Sequence, residues 1–245
     1  MGGGAQPVTD LSIVLPTYNE RDNIVPLVER LLHGLSDLGD GLEVIIVDDN
    51  SPDGTAALAR EAFAGDRRIR VLVRTTDRGL ARAIRAGIEC ASGHIVLVMD
   101  TDFNHPPDQA PLLYNIARHV DLVVGSRFAF GGGMPSRTRY VLSYVYNLFM
   151  RFVLGTRIND NLSGLFAIRR EALQKLDFDK IFWGYGDYFF RLLLMSQRLG
   201  LRHVEVPVLY GERRNGQSKI GIPSIFLLYT REVFRIVALR FVGKW

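Results

Sequence analysis

The sequence predicts an α/β fold: an open, mostly parallel sheet with helices on both faces, followed by an amphipathic C-terminal helix. Three observations predict it. Short β-rich runs alternate with helix-period segments from Leu11 to Gly125. Runs such as Ile45–Val47 and Ile95–Met99 are apolar without a break, as strands covered on both faces must be. A polar cluster follows three of the strands, and in open α/β sheets ligands bind beyond the carboxyl ends of the strands. A chain of 245 residues is long enough to bury such a core in one α/β domain.

The elements follow in order. Leu11–Leu15 reads as the first strand, and Pro16 is expected to end it because proline donates nothing to a ladder. Ile24, Leu27, Val28, Leu31, Leu32 and Leu35 recur at helical spacing and predict a helix from Arg21 to Leu38. Strands are expected at 42–47, 69–73, 95–99 and 122–125. Helices are expected from Asp53 to Phe63, Leu80 to Ala91 and Pro111 to His119. Gly131-Gly132-Gly133 marks a mobile loop. Helices at 138–154 and 188–199 and a late strand at 204–210 complete the pattern. Residues 1–220 are read as one catalytic domain and 221–245 as an appended helix.

Composition narrows the partners. Hydrophobic residues make up 47 % and charged residues 23 %, which excludes a disordered chain. A net charge of +4 favours anionic partners, yet no dense Lys/Arg block points to nucleic acid. One cysteine, Cys90, excludes an internal disulfide framework and suits a reducing compartment. The start, Met1-Gly2-Gly3-Gly4, does not read as a signal peptide.

Three clusters carry the chemistry. Pro16-Thr17-Tyr18-Asn19-Glu20 is either a plain strand-to-helix turn capped by Asn19 or a frame in which Tyr18 and Glu20 hold a nucleobase. Asp48-Asp49 closes a buried strand. The pair is either a solvated turn or an acceptor of ribose and base donors; neither a GxGxxG nor a P-loop motif is present. In DTDFNHPPD, Asp100 and Asp102 stand two residues apart at a strand end. As a capping turn they are unremarked; as a site they face a hard cation shared with diphosphate oxygens, and Asn104 adds a carbonyl. His105 reads as a turn residue rather than a ligand.

Taken with VGSR at 124–127, NLSGLFAIRRE and RRNGQSK, the motifs VLPTYNE, VDDNSPDGT and DTDFNHPPD resemble family 2 glycosyltransferases of the GT-A fold. The likeness is to the dolichol-phosphate mannose synthase-like branch and runs from about Leu11 to Lys219. It implies transfer of a sugar from a GDP- or UDP-linked donor to a polyprenyl phosphate, with Mg²⁺ or Mn²⁺. By resemblance, Pro16, Tyr18, Glu20, Val47 and Asp49 match nucleotide-binding positions. Asp100, Thr101 and Asp102 match donor-diphosphate and metal positions, with Asn104 where relatives often carry Gln. Arg127, Arg213 and Lys219 match phosphate-holding residues, and Asp187 falls where many members place an acidic base.

The chemistry of a phosphate acceptor bears on Asp187. A phosphate monoester with a second pKa of ~6 is already a dianion at neutral pH and needs no base. Asp187 then only orients a ligand or a basic side chain. A glycan hydroxyl acceptor makes Asp187 the base instead. A non-catalytic nucleotide-sugar-binding scaffold is the reading from a different class, and the Asp100/Asp102 pair and the Arg213–Lys219 basic loop, expected to close over the donor, speak against it.

The segment IPSIFLLYTREVFRIVALRFVGKW is apolar on most sides but carries Arg231 and Arg235 in its middle. Each arginine at a bilayer centre costs roughly 2.5–3.5 kcal/mol, so an interfacial helix is expected, with Trp245 and the basic residues at headgroup level. The expected place is the cytoplasmic membrane face, peripherally bound, beside a small membrane-protein partner where one is needed.

Overall fold

The computed structural model describes residues 9–211, 222–243 and 245. Seven strands form one sheet: β1 (Leu11–Thr17), β2 (Leu42–Asp48), β3 (Ile69–Val73), β4 (Ile95–Val98), β5 (Leu122–Ser126), β6 (Phe166–Arg169) and β7 (His203–Pro207). Their spatial order is β3-β2-β1-β4-β6-β5-β7. All neighbours pair in parallel except β6, which runs antiparallel between β4 and β5. The helices are α1 (Arg21–Gly34), α2 (Thr55–Ala62), α3 (Leu80–Cys90), α4 (Ala110–Ala117), α5 (Arg137–Leu154), α6 (Arg170–Leu173), α7 (Phe178–Ile181), α8 (Tyr188–Arg198) and α9 (Ile222–Phe241).

The period-2 alternation of the strands feeds two cores. Val14, Ile45, Val47, Val96 and Val98 face α3 and α8, while Leu11, Ile13, Leu15, Val44, Ile46 and Leu97 face α1 and α4. A third cluster, with Met150, Leu154, Phe190, Leu194, Tyr229, Val233 and Ile236, joins α5, α8 and α9.

Three expectations need correction. β1 runs through Pro16, which pairs with Val47 in register. Pairing with β4 stops at Val14, and the Pro16 carbonyl points to that vacated side, where Thr101 reaches it at 3.5 Å. The missing N–H therefore faces no ladder partner. The predicted α1 stops at Gly34 and yields to a short 3₁₀ stretch, Ser36–Gly41. The triple glycine is pinned rather than loose: Gly133 N–H donates to Val208 O at 3.1 Å and Gly133 O accepts from Tyr210 N–H at 2.9 Å. A Cβ on Gly132 would stand 2.5 Å from the Ser126 carbonyl oxygen, so close approach of backbones, not mobility, requires glycine there.

The edge opposite the site is fastened by Glu43. Its carboxylate accepts from Ser12 Oγ at 2.6 Å, Ser92 N–H at 3.0 Å and Arg70 Nη1 at 2.9 Å. Burial alone raises its pKa, but these donors together hold it below the ordinary 4.5. A lowered carboxylate contributes stability that is complete above its unfolded pKa and is lost as pH falls through the folded one. Glu43→Gln is therefore expected to lower the urea midpoint at pH 7, with the gap to wild type closing as pH drops below 4.5. A gap that persists unchanged into strong acid refutes this role.

Candidate active site

Parallel pairing of β1 with β2 and β4 carries three acidic turns to one edge of the sheet. Each turn contains one non-glycine residue in the left-handed region: Asn19 (φ 57°), Asn50 (φ 54°) and Phe103 (φ 64°). Asparagine tolerates that region; a bulky phenylalanine is strained there, and such strain concentrates at functional sites. Phe103 is held by burial of its ring in the core that faces α1 and α4.

The first two turns build each other. Asn19 is not the helix cap; its own N–H donates to Ser51 Oγ at 3.0 Å. Glu20 occupies the cap position, and the orphan donors of α1 go to the second turn: Glu20 N–H to Thr55 Oγ1 at 3.0 Å and Arg21 N–H to Asp53 at 3.1 Å. Glu20 also accepts from Asn23 Nδ2 at 2.8 Å. The two adjacent aspartates divide their work. Asp48 closes its own turn, accepting from Thr17 Oγ1, Ser51 N–H and Ser51 Oγ. Asp49 accepts from Arg74 Nη1 and Gly79 N–H, both at 2.6 Å.

Asp49, Pro16, Tyr18, Leu80 and Tyr185 line a cleft of about 490 Å³. Its rim carries Arg78, whose guanidinium lies 5.1 Å above the Tyr18 ring. Arg78 and Tyr185 escaped the sequence reading, because neither belongs to a periodic or motif signal that aims at the cleft. Val47 does not line it: its side chain is buried beneath α3, and only its carbonyl faces this edge, toward Thr17 Oγ1 at 3.4 Å.

The third turn is held from inside by His105. Its Nδ1 accepts the Asp100 N–H at 2.9 Å, so Nε2 carries the proton and donates toward Ser163 O at 3.1 Å and Tyr210 Oη at 3.0 Å. Both ring nitrogens are thus engaged in a buried ring. Thr101 is buried and braces β1. Asp102 accepts from Asn104 N–H at 3.0 Å and Asn104 Nδ2 at 2.9 Å, which leaves the Asn104 amide oxygen available as an additional ligand. The Asp100 side chain is 42 % exposed. Among the described residues no group of three or more His, Cys, Asp or Glu side chains forms a cage. Two carboxylates and an amide oxygen fit a hard divalent cation that takes its other ligands from water and a diphosphate.

Arg127 is buried against Asp160 by a two-pronged pair: Nε donates at 2.8 Å and Nη2 at 2.6 Å. Burial opposes its charge, but Asp160 outweighs this and holds the guanidinium proton more tightly than usual. Arg127 lines a second cleft, about 180 Å³, between α5 and α9, with Arg139, Leu142, Tyr146 and Phe226. Asp187 is buried, with one oxygen accepting from Tyr185 N–H at 2.7 Å and the other paired with Arg191 at 2.5 Å. That pairing suits an orienting role better than a base that must collect a proton. Arg213 and Lys219 lie outside the described residues.

Residues 12–177 match the model of glycosyl transferase family 2. The chain belongs to that family. It is 38 % identical to polyprenol monophosphomannose synthase of Mycolicibacterium smegmatis over 91 % of this chain and 88 % of that one. It is 40 % identical to undecaprenyl-phosphate mannosyltransferase of Micrococcus luteus over 85 % of this chain and 86 % of that one. In fold it resembles glucosyl-3-phosphoglycerate synthase of Mycobacterium tuberculosis, solved with Mn²⁺, UDP and glucosyl-3-phosphoglycerate. That likeness has a TM-score of 0.67 at 24 % identity and covers 96 % of this chain and 80 % of that one. The family 2 glycosyltransferase architecture thus supplies the frame for both clefts.

Asp160→Ala strands a buried guanidinium and is expected to cost about 3–5 kcal/mol of stability by urea unfolding. Asp160→Leu combined with Arg127→Leu is expected to cost less than the single change. The reverse order refutes the pair as a coupled unit.

Proposed function

We propose that this glycosyltransferase moves a hexose from a nucleoside diphosphate to a polyprenyl phosphate at a membrane surface. One observation carries the reading: the acidic turn is accompanied by two clefts, each mainly apolar and each with charged groups in its wall. One is framed by Tyr18, Asp49 and Arg78 and suits a nucleotide; the other is largely apolar, with Arg127 and Arg139 in its wall, and suits a lipid phosphate. The relatives' names, which carry polyprenyl phosphates and mannose, support the same pairing and favour mannose as the sugar.

Tyr18 and Arg78 stack on or flank the base, and Asp49 and Glu20 accept from its donors or from ribose. Asp100, Asp102 and the Asn104 amide oxygen would hold a Mg²⁺ or Mn²⁺ ion, which would supply neutralising charge at the donor diphosphate. Arg139 and the remaining Nη1 of Arg127 orient the acceptor phosphate, whose oxygen attacks the anomeric carbon. The bond from that carbon to the diphosphate breaks on the opposite side, which inverts the centre and releases the nucleoside diphosphate. No proton leaves the acceptor, so Asp187 serves by holding the loop at Tyr185.

The lipid side of the reading rests on exposed apolar surface. Val141, Leu142, Val145 and Phe152 of α5 and Leu227, Phe234 and Phe241 of α9 are all more than half exposed. No described helix is long and apolar enough to cross a membrane. Such faces lie in a bilayer interface, here at its cytoplasmic side, where nucleotide sugars are supplied. Two of the expected headgroup anchors are placed differently: Arg240 donates to Leu154 O at 2.7 Å, closing α5, and Trp245 packs on the third core.

The test is turnover of radiolabelled GDP- and UDP-sugars with vesicles containing polyprenyl phosphate, with Mg²⁺ or chelator. A lipid-soluble, mild-acid-labile product from one donor is expected; label confined to water-soluble glycan refutes the acceptor. Asp102→Ala is expected to abolish turnover while the protein stays folded by circular dichroism, and full activity with metal present sinks the metal assignment. His105→Phe, which removes the ring's bonds to Asp100, Ser163 and Tyr210, is expected to weaken Mn²⁺ binding roughly 10–100-fold by electron paramagnetic resonance. Unchanged Mn²⁺ affinity overturns that role.

A further inference from the structure

The C-terminal helix and the donor cleft share one buried ionic network. Arg191 is fully buried on α8, beneath the loop that runs from Trp183 to Asp187. Its Nε donates to Ile181 O at 2.9 Å, its Nη1 to Asp187 at 2.5 Å and to Glu232 of α9 at 3.1 Å, and its Nη2 to Trp183 O. Glu232 is itself 5 % exposed, and its carboxylate is completed by Arg235 at 2.7 and 2.8 Å. The two guanidiniums lie 3.8 and 4.6 Å from the Trp183 ring centroid, so the indole is gripped by both helices.

The same loop forms a wall of the donor cleft. Asp187 fixes Tyr185 through the Tyr185 N–H, and Tyr185 lines the cleft. Gly184 turns with φ +75°, and a Cβ there would meet Asp187 at 2.8 Å. Tyr229 of α9 presses on Gly186 so closely that a Cβ there would stand 2.1 Å from the Tyr229 hydroxyl. Helix α9 therefore touches this loop at Tyr229 and again at Arg235, while Leu227, Phe234 and Phe241 remain exposed on its outer side.

We propose that Glu232 is a positioning residue: through Arg191 and Asp187 it ties α9 to the cleft wall, so that seating α9 on lipid tightens nucleotide binding. The inference rests on the lipid-surface reading above. The four charges, two acidic and two basic, balance, so the network is stable only as a unit; a shift of α9 must move the Arg191 fork or break it. Coupling of this kind is reciprocal, and bound nucleotide strengthens lipid seating by the same factor. A packed core does not deform smoothly, so a shift of α9 is passed to the fork rather than absorbed around it.

Trp183 and Trp245 are the two tryptophans of the chain, so Trp245→Phe leaves Trp183 as a single reporter inside the network. In that background, GDP and UDP are titrated with Mn²⁺ by Trp183 fluorescence, with and without vesicles of phosphatidylcholine and phosphatidylglycerol. Vesicle binding is checked separately by co-sedimentation. The expected result is nucleotide affinity at least roughly fivefold tighter with vesicles. Glu232→Gln is expected to bring that ratio close to one. Should Glu232→Gln melt without cooperativity, Glu232→Gln with Arg235→Gln restores the charge balance and carries the same test. Vesicle binding without any change in nucleotide affinity overturns the coupling and leaves the lipid-surface reading intact. A full vesicle effect in the variant overturns the role of Glu232. Absence of vesicle binding, or of nucleotide binding, overturns this inference together with the reading it rests on.

Discussion

Everything at the site depends on β1 lying between β2 and β4, parallel to both. Parallel pairing in register makes three strands end on one edge. The turns that follow therefore place Glu20, Asp48, Asp49, Asp53, Asp100 and Asp102 together. Like charges at close range repel, so the edge is stable only if each carboxylate is given donors. The structure supplies them locally for Asp48 and Asp53, and from neighbouring segments for Asp49. Asp102 is supplied from within its own turn by the Asn104 N–H and Nδ2, and His105 holds the same turn through the Asp100 N–H.

Asp48, Asp49, Asp53 and Asp102 each receive at least two donors, which hold the turns in place. Asp100, whose side chain is 42 % exposed, lies on the turn that His105 ties to Tyr210 and Ser163. The chain after β7 is fastened to the same turn by Gly211 N–H to Asn104 O at 3.0 Å. A Cβ on Gly211 would stand 2.4 Å from the Phe103 carbonyl oxygen, which keeps this crossing close. The site is thus braced from strands far apart in sequence, and its strained Phe103 is held by that bracing rather than by local preference.

The second half of the chain follows a different rule. Its elements pack through the third core and through buried charges, Arg127 with Asp160 and Arg191 with Asp187 and Glu232. These pairs are not strong sources of stability, since desolvation offsets much of the attraction. They fix position instead: one sets the wall of the apolar cleft, the other joins α8, α9 and the Tyr185 loop.

The parallel strands, their helices and the acidic turns were legible from the sequence, because periodicity and strand-end position are local properties of the chain. The family motifs added the pairing of Tyr18 with Asp49 and of Asp100 with Asp102. β6 was not legible: it is four residues long and antiparallel, and the Asn161–Gly164 turn before it gives no sign of insertion between β4 and β5. Nor did the sequence disclose that Asp187 is committed to Arg191, that His105 is a buried brace, or that the glycine run is pinned. Those facts depend on which distant groups meet, and partners from distant segments leave no period and no spacing in the chain. Sequence alone determined the layers, the edge and the chemical types gathered there. Tertiary structure decided which charged groups are neutralised within the protein and which face the clefts, because only close packing sets the distances over which charge and hydrogen bonding act.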